Sequence, residues 1–130
     1  MRRMISAIVI MASFSLAAAF PIAENGKAKC VIVHPDRIEA WNRGMYPNLM
    51  VLELKKYLEK MTGAVFEIYP ESKAPKDTPA IFAGNTRAAR EAGIDISKLG
   101  KREWRIKSDD NRVILAGGSV TGSMYALYVF

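Results

Sequence analysis

A chain of 130 residues, half of them hydrophobic and a quarter charged, has room for one modest globular core. The formal charge of +6 comes from 19 basic residues dispersed among 13 acidic ones. No basic cluster is interleaved with aromatics, which argues against nucleic acid as a partner, and a single cysteine excludes an internal disulfide.

The chain begins with Arg2 and Arg3, then runs uncharged and mostly apolar from Met4 to Phe20, with Ala17, Ala18 and Ala19 near its end. A basic start, an apolar stretch and a small-residue site predict a secretory signal peptide over residues 1–19, cleaved after Ala19. The stretch is shorter than the about 20 apolar residues of a membrane span. Contact with a membrane is therefore expected only during export, to a periplasmic or extracellular location of bacterial type. Cys30 is not a lipid-attachment site, because Lys27-Ala28-Lys29 precedes it in place of an apolar box. Cleavage leaves 111 residues with a formal charge of +4.

Residues 20–27 are expected to be a lead-in to a domain spanning 28–130. Ala28 to His34, centred on Cys30-Val31-Ile32-Val33, reads as a buried strand, closed by Pro35. Met50, Leu54, Tyr57, Leu58 and Met61 recur at helical spacing and predict a helix from Pro47 to Met61, with Gly63 just past its end. Lys55, Lys56, Lys60, Glu53 and Glu59 would form its solvated side. Ala64 to Tyr69 reads as a strand, 70–79 as a Pro-rich loop, and Ala80 to Ala83 as a short strand. Asn85 or Thr86 is expected to cap a two-turn helix ending near Gly93. Glu103 to Lys107 and Arg112 to Ala116 then predict a hairpin around Asp109-Asp110-Asn111, residues that tolerate left-handed geometry. Thr121 to Phe130 resumes helical spacing.

The order β-α-β-β-α-β-β-α predicts a two-layer α/β (α+β) sandwich, with a mixed sheet and helices mainly on one face. The last helix ends on Met124-Tyr125-Ala126-Leu127-Tyr128-Val129-Phe130 with no terminating Gly, Pro or basic turn. An apolar helix end of this kind invites association, and predicts a domain truncated at its C-terminal side.

Candidate chemistry is sparse. His34 and Cys30 are four residues apart on one strand face, about 13 Å by strand rise, too far for a direct nucleophile–base pair. With one histidine, one cysteine and no HExxH, a zinc site is not expected. Glu53 and Glu59 fall on opposed helix faces, and Asp109 and Asp110 occupy a turn, so no pair converges across a sugar as a glycosidase requires. Gly117-Gly118-Ser119-Val120-Thr121-Gly122 is a glycine-rich strand-to-helix turn. It lacks the Lys-Ser/Thr of a phosphate loop, and tight packing accounts for its glycines as well as an anion site does. No catalytic, cofactor-binding or metal-binding residue is assigned, and no cofactor is expected.

Four segments occur in order: Leu52 to Ala64, Ile81 to Thr86, Asn111 to Gly118, and Gly122 to Tyr128. Together they resemble the N-terminal accessory domain of secreted glycoside hydrolases of the alpha-glucuronidase and beta-hexosaminidase type. The resemblance implies a zincin-like two-layer module without zinc, preceding a catalytic (β/α)8 barrel that holds the sugar chemistry. The expected function is thus a non-catalytic accessory domain that packs against a downstream catalytic domain of the same polypeptide, with carbohydrate as a further partner. The alternative is a stand-alone secreted module binding glycan or a surface ligand through Trp41, Tyr46 and Trp104. A small hydrolase using His34 with an acid partner ranks third.

Overall fold

The computed structural model describes residues 20–37 and 49–130. The expected signal peptide, Pro47, Trp41 and Tyr46 lie outside the described residues.

The lead-in joins the fold. Ala23–Glu24 (β1) and Lys27–Ala28 (β2) pair antiparallel about Asn25-Gly26, both at positive φ (52° and 72°), as a tight hairpin turn requires. Phe20 and Ile22 pack on the main core, and the Lys29 amide donates to the Ile22 carbonyl at 2.9 Å. The strand expected over 28–34 is accordingly split: Ala28 belongs to the hairpin, and Val31–His34 (β3) enters the main sheet.

The sheet continues with Ile68–Pro70 (β4), Ala80–Ala83 (β5), Trp104–Ser108 (β6) and Arg112–Gly117 (β7), in the order β4-β3-β5-β7-β6. β4, β3, β5 and β7 run parallel, and β6 closes one edge antiparallel to β7. Parallel strands are covered on both faces, which explains their nearly continuous apolar sequences. Ile32, Ile81, Ala83, Val113 and Leu115 turn to one face, under Leu49–Thr62 (α1) and Val120–Val129 (α3). Val31, Val33, Ala80, Ile114 and Ala116 turn to the other, under Arg87–Glu91 (α2), Ala74 and the segment from Ile94 to Leu99. Both long helices thus share one face, in the two-layer arrangement the sequence predicts.

α1 ends at Thr62, and Gly63 takes φ +72° to leave it. Its buried stripe is Val51, Leu54 and Leu58. Tyr57 and Met61, which share the apolar spacing, stay outside that stripe. They lie on the flank toward α3, where the Tyr57 ring meets Tyr128 edge-on, and Met61, one turn further, is 73% exposed.

The strand expected over 64–69 begins only at Ile68. Glu59 explains the delay: its carboxylate accepts the Phe66 amide at 3.1 Å and pairs with Lys55, whose ammonium also donates to the Phe66 carbonyl at 2.6 Å. Phe66 is thereby held by α1 in place of a neighbouring strand, with its ring buried and Val65 76% exposed.

The expected β6–β7 hairpin is present, and its turn uses no positive φ over 108–112. Asp109 closes it by accepting the amides of Asn111 and Arg112 at 2.9 and 2.8 Å, and by pairing with the Arg112 guanidinium.

Glu59 carries a pH prediction. Its hydrogen bond from Lys55, and then that from the Phe66 amide, hold its pKa below 4.5. A depressed folded-state pKa contributes stability above the unfolded value and loses it as pH falls through the folded value. Parent and Glu59→Gln unfolding free energies, measured in urea, should therefore differ most above pH 4.5 and converge in acid. A difference that does not change with pH would contradict the pairing.

Candidate functional site

The structure keeps the sequence candidates apart. Cys30 is buried and its thiol donates to the Ile22 carbonyl at 3.7 Å; burial pushes its pKa up to about 11, so it is an inert thiol at neutral pH. His34, at the exit of β3, places Nδ1 2.8 Å from the Pro35 carbonyl. Each is engaged by its own local backbone, and they do not form a pair. Glu53 pairs with Lys56 at 3.3 Å, while Glu59 braces Phe66, and Asp109 is consumed in its turn. Among the described residues no group of three or more His, Cys, Asp or Glu side chains could hold a metal ion. No helix among them is long and apolar enough to cross a membrane.

The glycine-rich turn is filled by protein. Ser119 caps α3 by accepting the Gly122 amide at 3.2 Å and donates its hydroxyl to the Lys101 carbonyl. The Gly118 amide donates to Glu103 at 3.0 Å. A methyl group on Gly117, Gly118 or Gly122 would lie 2.1–2.5 Å from backbone atoms of Ser123, Gly100 or Glu103. These glycines let helix, strand and the 99–103 segment approach one another, which is the packing role.

Two acidic staples, invisible in the sequence, tie the loops beyond the carboxyl ends of the parallel strands. Glu71 accepts the amides of Arg87 and Ala88 at 2.8 and 3.1 Å, at the start of α2, where Thr86 (the actual cap) accepts from Ala89. Asp36 accepts the Ser72 amide at 2.8 Å, which lowers its pKa. Their partners are 16 to 36 residues distant, so no local motif announces them.

The most distinctive surface is apolar. Tyr125, Tyr128, Val129 and Phe130 of the last helical turns are 40–59% exposed, and α3 carries no charged residue. Tyr57 adjoins them, its ring 6.4 Å from that of Tyr128 at 74°, with the Lys56 ammonium 5.0 Å above it. Met61 continues the same flank of α1. Gly122, Ser123, Ala126 and Leu127 of α3 are buried. Trp104, the one described aromatic named for ligand stacking, is half-buried and packs on the core.

No family model matches the chain, and no curated protein matches it.

Proposed function

We propose that this chain is a non-catalytic accessory domain of an exported carbohydrate-active enzyme, which packs against a downstream catalytic domain of the same polypeptide. The observation that carries the packing role is the uncharged outer surface of α3 together with Tyr57 and Met61 of α1. Contiguous exposed apolar surface of this kind marks an interaction site. Its aromatic content suits an interface core, where Tyr and Phe are enriched and charges depleted. The enzyme class rests on the ordered segments that resemble the accessory domain of secreted glycoside hydrolases. Export rests on the basic and apolar start of the chain.

The alternative of a glycan platform finds less support. Tyr57 and Tyr128 stand edge to face at 74°, and do not present the flat pair on which a sugar ring stacks.

Changing both Tyr128 and Phe130 to Ser tests the packing surface. If these side chains serve a neighbouring domain, the double variant of this chain should stay monodisperse at higher concentration in sedimentation velocity. Its unfolding free energy should fall by less than about 1 kcal/mol. A parent chain already monomeric at high concentration and clearly destabilised by the two changes would mean that the helix end serves the chain's own core.

A further inference from the structure

On the opposite side of the sheet from α1 and α3, an open crevice of about 650 Å³ lies between the α2 exit and the end of β7. It sits beyond the carboxyl ends of β5 and β7, which are adjacent parallel strands. Its volume is in the range of small-molecule sites. The apolar part is Ile94, Ile96 and Leu99; the polar part is led by Arg90, Asn85 and Asp95.

The charges in this crevice are unequal in what they leave available. Asp95 is satisfied from within: Oδ1 accepts the Ser97 amide at 3.0 Å and its hydroxyl at 2.5 Å, and Oδ2 faces the Lys98 ammonium at 3.8 Å. The Ser97 hydroxyl, first among these, lowers its pKa and keeps it ionised and engaged. Arg90 gives Nη1 to Asn85 Oδ1 at 3.3 Å, one of the five N–H donors of a planar fork. Lys107, whose ammonium holds the Ala92 carbonyl at 2.7 Å, adds positive potential beside Gly93. The crevice thus combines a cationic fork with an apolar strip.

We infer that this crevice binds a small organic monocarboxylate, with its carboxylate on the Arg90 fork and its apolar body on Ile94, Ile96 and Leu99. A guanidinium matches a carboxylate bidentately, where a neutral amide of the same shape supplies only one acceptor oxygen. The open rim and the solvent-exposed Arg90 guanidinium set the affinity at about the millimolar level. The site is independent of the α1–α3 surface, so its failure leaves the packing proposal intact.

Phenylacetate and its neutral isostere phenylacetamide are suitable probes, titrated into the ¹⁵N-labelled chain and followed by amide shifts. Phenylacetate should shift the amides of residues 93–99 and Gly118 along saturable curves, and phenylacetamide should bind about tenfold more weakly. Arg90→Gln should weaken phenylacetate by a similar factor, Arg90→Lys by less, and Ser97→Asp, an exposed change that adds a negative charge at the rim, should also weaken it. Arg90 is exposed, and unchanged shifts of remote amides would verify that each variant is folded. Non-saturating shifts, equal response to both probes, or a folded Arg90→Gln or Ser97→Asp variant with parent-like affinity would overturn the inference.

Discussion

Replacing Gly117 by alanine is expected to lower the unfolding free energy by about 3 kcal/mol or more, the upper part of the range for overpacking. The new methyl would lie 2.1 Å from the Ser123 nitrogen and 2.3 Å from the Gly122 carbonyl carbon. Both are backbone atoms of the first turn of α3, and neither can swing aside as a long side chain does. Relief would require lifting α3 off β7, which would expose Ala126 and Leu127. Gly118→Ala should cost a comparable amount, since its methyl would lie 2.2 Å from the Gly100 carbonyl oxygen. Gly63→Ala is the internal control. It strains a left-handed backbone (φ +72°) but meets nothing within 4 Å, so about 1 kcal/mol is expected. Urea denaturation of the three variants measures the contrast. A Gly117→Ala loss no larger than that of Gly63→Ala would contradict the close approach of α3.

A second large effect is expected at Phe66. It is 1% exposed and the largest fully buried side chain among the described residues, set between α1 and the sheet although its own backbone is not in a strand. Phe66→Ala should cost about 3–5 kcal/mol, the transfer term plus the cavity left beneath Leu58 and Leu54. Val65→Ala, one residue away and 76% exposed, should fall within about 0.5 kcal/mol of the parent. Equal losses at the two positions would return 64–67 to a regular strand buried along its length.

This pair also marks where local sequence signals stop informing the fold. The apolar cores of β3, β5 and β7, the end of α1 at Gly63 and the hairpin of β6 and β7 are legible, because each is written within a dozen residues. The start of β4 is not, since it depends on Glu59 capturing the Phe66 amide across the α1 exit. The rotation of α1 that leaves Tyr57 and Met61 outside depends on where α3 lies, a contact 71 residues distant in sequence between Tyr57 and Tyr128. Asn25-Gly26 is a strong local turn signal that could have identified the first hairpin. The crevice around Arg90 draws on Asn85, Asp95 and Gly118, which form no motif and meet only when the parallel order of β5 and β7 is known.

If the α1–α3 surface packs against a second domain, the solvent accessibility of its tyrosines must change when that domain is present. Hydroxyl-radical footprinting read by mass spectrometry should compare this chain alone with the same chain joined to the proposed catalytic domain. Tyr57, Tyr125 and Tyr128 should be labelled readily in the isolated chain and protected in the joined one, with half-buried Tyr69 labelled alike in both. Equal labelling of Tyr125 and Tyr128 in the two samples would contradict that packing.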